Sequence, residues 1–230
     1  QLPAILQETD YPTGTVQVTL SATGSPTYEI SEDVAWDHIA FTDELRALAQ
    51  RTDAVCFGSL AQRHEASRTA ILSFLKAMPE GSLRIFDINL RLQYYTRETI
   101  HTSLDHADIL KLNDEEVPIV ARLLGLEGDM EAVCRQVLTD YSLRAVILTR
   151  GADGCSIYHE KGSVFHPSAC IKVADTVGAG DSFTAGFVSA LLAGRSHLEA
   201  VALATRVAAL VCSHHGAMPT LPSEYRVVEA

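Results

Sequence analysis

Apolar and polar positions alternate along residues 14–30, with Val16, Val18 and Leu20 on one side of a turn-forming run and Tyr28 and Ile30 on the other. The run itself is Ser21-Ala22-Thr23-Gly24-Ser25-Pro26. Period-two alternation around such a loop predicts a β-hairpin with one face covered and one wet. After Trp36 the period changes. Thr42, Asp43 and Glu44 open a helix that runs to about Gln50. Short apolar runs then recur at Ala54–Gly58, Leu83–Asn89, Asp108–Leu112 and Ala145–Thr149. Helical patterns separate them, over roughly 64–78, before residue 108, and near 114–124 and 129–140. Short buried strands alternating with helices predict an α/β fold: a mostly parallel sheet with helices on both faces. Cys155–His159 and Ser163–Phe165 read as a hairpin across Glu160-Lys161-Gly162. Phe183, Phe187, Ala190 and Leu191 share one helical face that stops at Gly194. Ser196 with Glu199 forms a capping box for a last helix, rich in small residues from Ala200 to Ala209. There is no internal repeat, low-complexity segment or linker.

In open α/β sheets, ligands bind beyond the carboxyl ends of the strands. Those ends carry Gly58-Ser59, Asp87-Ile88-Asn89-Leu90-Arg91, Lys111-Leu112-Asn113 and Thr149-Arg150-Gly151. Each is a polar group closing an apolar run. A further polar cluster is the nine-residue run Asp175-Thr176-Val177-Gly178-Ala179-Gly180-Asp181-Ser182-Phe183. A glycine turn that runs into a helix start offers unpaired N–H groups and the positive end of the dipole, which together attract an anion. Asp181 at its mouth is placed to take a proton from an attacking hydroxyl. Glycine followed by Asp and Ser is also an ordinary helix N-cap. Asn113 and Glu116 lie three apart, on one face of a helix that starts there, and serve equally as an acidic N-cap. Arg91 is a fork for a phosphate or sugar oxygen, or the partner of Asp87 in a surface ion pair. The turn Thr149–Gly154, taken by itself, reads as a plain strand-to-hairpin connection. An amide anion hole, a carboxylate base and a Mg²⁺-organising carboxylate together cover the needs of phosphoryl transfer to a hydroxyl.

Composition narrows the partners. At 230 residues the chain suits one large domain, or a domain with an appendage. A formal net charge of −11 argues against nucleic acid as a partner. Nine histidines show no H-E-x-x-H, and five cysteines show no C-x-x-C. Four of the cysteines lie in apolar surroundings, and all are expected as reduced core thiols of a cytoplasmic protein. No stretch reaches transmembrane length, so no membrane role is expected. The chain opens at Gln1-Leu2-Pro3 without an initiator Met, as if in mid-domain, and an N-terminal piece is expected to precede it.

The run D-T-V-G-A-G-D-S-F resembles the signature of the PfkB, or ribokinase-like, family of sugar and nucleoside kinases. The resemblance extends from the hairpin near Thr15 to Ala217-Met218-Pro219. It implies a ribokinase-like three-layer fold with a small β lid: residues 1–36 in the lid and its connections, 37–230 in the core. It implies Asp181 as catalytic base and substrate contact, with the amides of Gly178, Ala179 and Gly180 as the anion hole. Asn89 and Arg91, from a D-x-N-x-R element, would bind the sugar. Lys111, Asn113, Thr149, Gly151, Gly154, Thr176, Gly180 and Gly216 would line the ATP site. Glu116, in an N-x-x-E motif, would reach Mg²⁺ through water. Asp175 with the late loop 212–217 would hold a monovalent cation such as K⁺. Pro12–Thr15, Ala35-Trp36-Asp37, Phe57–Leu60 and Gly216–Pro219 look most like bacterial fructokinases, so the implied activity is ATP-dependent phosphorylation of a sugar, fructose first, by a homodimer paired through its lids. A kinase for another sugar, a sugar acid or a nucleoside, and a catalytically silent kinase-like binding protein, are the alternatives. A Rossmann-type binder is disfavoured, because no G-x-G-x-x-G follows an early strand. The family's opening G-E and G-G-x-x-x-N elements do not occur in this chain.

Overall fold

The computed structural model describes residues 10–20 and 26–225. Strands β1 (Val16–Leu20) and β2 (Pro26–Ile30) pair antiparallel from Val16↔Ile30 to Leu20↔Pro26. The loop residues 21–25 lie outside the described residues. The expected one-sided burial does not occur at the described positions of β1. Val16 and Val18 are 50% and 54% exposed, and Gln17 and Thr19 are exposed on the other face. A two-stranded ribbon standing off the core has no layer to cover it. Its root is nevertheless firm: Ser31 N–H donates to the Thr15 carbonyl at 3.0 Å and Ala35 N–H to that of Pro12 at 2.9 Å.

The main sheet has six strands in the order β3-β4-β5-β6-β7-β8. β3 (Ala54–Phe57), β4 (Leu83–Asp87), β5 (Ile109–Asn113) and β6 (Ala145–Thr149) are parallel. β7 (Cys155–His159) and β8 (Gly162–His166) continue the sheet antiparallel as a hairpin. The helices between the parallel strands are α1 (Asp43–Ala49) before β3, α2 (Glu65–Ala77), α3 (Arg97–Asp105), and the pair α4 (Val117–Leu124) and α5 (Met130–Asp140). Two more follow the sheet, α6 (Ala179–Leu192) and α7 (His197–Cys212).

Alternation along the strands assigns the two faces. Phe86, Leu110, Val146 and Leu148 turn toward α2–α5, where they meet Leu75, Ile100, Leu104 and Val120. Their neighbours Ile85, Ile109, Ala145 and Ile147 turn toward α6 and α7, against Phe183, Phe187, Val201 and Ala204. Burial on both faces is why these strands read as continuous apolar runs. The small residues of α7 have a packing reason. A Cβ placed on Gly186 of α6 would stand 3.0 Å from the Ala204 Cα, so these helices approach almost backbone to backbone. β3 is less covered than its sequence suggests, because it is an edge strand: Phe57 is buried but Cys56 is exposed. Of the expected core thiols, Cys134 and Cys155 are buried, Cys212 is intermediate, and Cys56 and Cys170 are exposed.

Candidate active site

The turn 175–180 is built by three constraints. Gly178 is the N-cap of α6 with φ +80°, a left-handed conformation that suits glycine. A Cβ there would come within 2.8 Å of the Ala217 Cβ. The Asp175 carboxylate clamps the turn to the late loop, accepting from Val177 N–H and from Gly216 N–H, each at 3.0 Å. Those N–H donors hold its carboxyl below the usual range. The backbone seals the same joint, with Ala174 N–H on the Cys212 carbonyl at 2.8 Å. The segments joined are some forty residues apart in sequence, and one side chain with the backbone beside it holds them together.

Of the three amides expected to form an anion hole, one is already engaged. Ala179 N–H is engaged by the Thr176 carbonyl at 3.2 Å. The N–H groups of Gly178, Gly180 and Asp181 have no acceptor among the described residues. They are the donors a helix start leaves open, at the positive end of its dipole. Asp181 is exposed in this first turn. Gly180 lies inside α6 without a positive φ, so its value is the absence of a side chain rather than an unusual backbone.

Beneath the turn lies a buried charged group that sequence reasoning left as separate strand ends. Lys111 Nζ donates to both oxygens of Asp87, at 2.9 and 2.8 Å. The two residues are direct partners across β4 and β5, and both are buried. Thr184 Oγ1 donates to Asp87 Oδ2 at 3.0 Å and lies 3.0 Å from the Gly180 carbonyl. A Cβ on Gly180 would stand 3.6 Å from Lys111 Nζ. The ammonium therefore sits directly under the first turn of α6, held there by Asp87. Asp87 pairs with Lys111 and not with Arg91, whose Nη1 donates to the Leu90 carbonyl at 3.2 Å. Asp87 and Thr184 join this buried group and were not among the expected site residues; the available signal was a carboxylate ending an otherwise apolar strand.

Glu116 links two strand ends. Its Oε1 accepts from Leu90 N–H and its Oε2 from Asn113 N–H, both at 2.8 Å, while Asn113 Oδ1 accepts from Glu116 N–H at 2.9 Å. This reciprocal pair closes the turn between β5 and α4; the helix expected to start at Asn113 starts at Val117, so the acidic N-cap does not form there. Burial pushes the Glu116 carboxyl up, against the pull of the Asn113 and Leu90 amides. Thr149 ends β6 beside Asn113 and donates to the Leu112 carbonyl at 3.3 Å. The following turn takes positive φ at Gly151 (+50°) and Gly154 (+89°), and a Cβ on Gly154 would collide with the His166 carbonyl. Asn89 (φ +40°) and Arg91 are exposed on the loop after β4. Thus the turn 175–180, Lys111, Asn113, Glu116 and Thr149 gather at one end of the sheet, with Gly216 stitched to them through Asp175. Among the described residues, no group of three or more His, Cys, Asp or Glu gathers to cage a metal. No helix there is long and apolar enough to cross a membrane.

The model for pfkB family carbohydrate kinases matches residues 4–224. The chain belongs to that family. This PfkB chain is 31% identical over 232 residues to the Arabidopsis thaliana protein named "Probable fructokinase-5", covering 94% of this chain and 70% of that one. It is similar to an uncharacterized sugar kinase from Pyrococcus horikoshii solved in complex with ATP, with 27% identity and a TM-score of 0.77 over 92% of this chain and 68% of that one. It is also similar to the aminoimidazole riboside kinase of Salmonella enterica, with 25% identity and a TM-score of 0.74 over 93% and 71% of the two chains. The PfkB fold accounts for the sheet order and for the position of the α6 turn beyond the parallel strands.

Proposed function

We propose that this chain transfers the γ-phosphoryl group of ATP to a hydroxyl of a small sugar, with D-fructose first among acceptors. One observation carries the reading: three unpaired amides, the Asp181 carboxylate and the buried Lys111–Asp87 pair meet at the first turn of α6. The amides would bind and orient the transferred group, and Asp181 would take the acceptor's proton. Asp87 and Thr184 hold Lys111 in place, so its charge is organised before any ligand arrives. Magnesium, when bound, offsets phosphate charge. Its usual set of nucleotide oxygens, waters and one or two carboxylates is compatible with Glu116, which stands at the strand ends with Asp181 and the Lys111-paired Asp87. The fructokinase relative supports fructose as acceptor, and the open face of the hairpin at Val16 and Val18 supports pairing of two lids in a homodimer. The riboside kinase supports a second reading, phosphorylation of a nucleoside-like acceptor by the same machinery.

An ADP-release assay of the full-length protein over hexoses, pentoses and ribosides tests the acceptor. Asp181→Asn tests the chemistry. The expected outcome is a loss of about 10²–10⁴-fold in turnover with ATP affinity nearly unchanged. A variant within a few-fold of wild-type turnover would remove Asp181 from the base role.

A further inference from the structure

The root of the hairpin holds a second group of chemistry-bearing side chains, away from the α6 turn. Arg63 closes the short 3₁₀ turn Leu60–Gln62 that follows β3. Its side chain is 8% exposed and that of Asp37 is 2% exposed. The fork meets Asp37 twice, Nε to Oδ1 at 2.8 Å and Nη2 to Oδ2 at 2.7 Å. Nη2 also donates to the carbonyl of Ser31, the residue after β2, at 2.6 Å. The guanidinium lies over the ring of Tyr94 at 4.7 Å and against that of Trp36 at 5.6 Å. Tyr94 belongs to the loop after β4: its N–H donates to the Arg91 carbonyl at 3.0 Å, and its hydroxyl to Glu32 at 2.7 Å. One cation therefore touches the hairpin's return segment 31–37 and the loop that carries Asn89 and Arg91.

Stability alone is a poor reason for this arrangement. A buried ion pair is commonly replaced by apolar side chains at no loss. Here, in addition, Arg63 Nη1 and Trp36 Nε1 are buried donors without an acceptor among the described residues. Unpaired buried donors are unfavourable, so packing does not explain their presence side by side. What a planar guanidinium supplies, and an ammonium or a methylene chain does not, is fixed direction.

We infer that Arg63 is a positioning residue for the acceptor: it fixes the hairpin against the loop after β4, so that the hairpin and the candidates Asn89 and Arg91 form one surface. The inference rests on the sugar-kinase reading. Arg63 acts through its neighbours, so its loss falls on the acceptor and spares the nucleotide.

The test compares the full-length wild type with Arg63→Lys and with the double variant Arg63→Met/Asp37→Asn, which leaves no unpaired buried charge. D-fructose and ATP are the probes. The expected result is a rise of about ten-fold in the KM for D-fructose in both variants, with the KM for ATP unchanged. A second readout comes from Trp36, the one tryptophan in the chain. D-fructose is expected to shield its emission from acrylamide in the wild type and to lose that effect in the variants. Unchanged acceptor KM in either folded variant overturns the inference. So does a parallel rise in both KM values with a fall in melting temperature, and so does failure of both variants to fold, since each marks a merely structural residue. Absence of wild-type turnover on every acceptor overturns the sugar-kinase reading instead, whereas normal wild-type turnover with unaffected variants overturns only the role of Arg63.

Discussion

Gly178 and Gly180 stand two positions apart and serve different purposes. Gly178 supplies a left-handed φ and a face flat enough to lie on Ala217. Gly180 is helical and keeps the space above Lys111 clear. Gly178→Ala is therefore expected to lower stability, because the left-handed conformation costs an L-residue about 1–2 kcal/mol and Ala217 must also move. Gly180→Ala is expected to keep or slightly raise stability, by up to about 1 kcal/mol from helix propensity, while turnover falls. Urea unfolding and turnover, measured on both variants, separate the two cases. Equal losses of stability would contradict the division. Both glycines were legible in the sequence, but which one carries the positive φ was not. That depends on the residue at which the helix starts, and the motif is compatible with more than one start.

At the scale of elements, the tie among β4, β5 and α6 is the Lys111–Asp87–Thr184 group. Removing one partner of a buried pair leaves an uncompensated charge, at a cost of about 3–5 kcal/mol. Lys111→Met is expected to lose stability in that range, and Lys111→Met/Asp87→Asn to recover most of it, as read by urea unfolding. A double variant no better than the single one would mean that the loss comes from packing. The strands themselves were legible from apolar runs, and so were their polar ends. The pairing was not, since Asp87 meets Lys111 only through the register of two strands twenty-four residues apart. The hairpin illustrates the converse. Its alternation predicted strands correctly, yet at the described positions of β1, residues 16–19, neither face is covered, because alternation records a pleat and not the layer that lies against it.

For the whole molecule, carboxyl, imidazole and thiol groups all bear on pH dependence. Burial pushes Asp37 up, but the Arg63 fork and the Val34 amide outweigh it, and the carboxyl ends below its ordinary 3.8. A depressed carboxyl contributes stability that is present above the unfolded value and is lost as pH falls through the folded one. Cys134 and Cys155 move the other way, pushed up by burial from 9.0 to about 12. Their contribution is present below 9.0 and is lost as pH rises from there. Burial holds the His197 imidazole below its ordinary 6.5, so its contribution is present above 6.5 and declines as pH falls from there. The urea midpoint is therefore expected to decline below 6.5, to fall further below the ordinary carboxylate range, and to fall again above the ordinary thiol value. Cys134→Val is expected to flatten the alkaline side. An alkaline limb unchanged by that substitution would assign it to other groups.

The sequence by itself determined the alternation of strands and helices, the partition of apolar residues between two sheet faces, the glycine turn at the start of α6, and the family. These are local properties, carried by spacing of two or about 3.6 residues and by a continuous motif, and they survive any arrangement of the elements in space. Tertiary structure alone decided that Asp87 holds Lys111, that Glu116 bridges the ends of β4 and β5, that Asp175 fastens the turn to the loop at Gly216, and that Arg63 joins the hairpin to the loop after β4. Each of these contacts joins residues more than twenty positions apart. Its existence depends on strand register and on which loop crosses which strand end, and a one-dimensional pattern leaves both open.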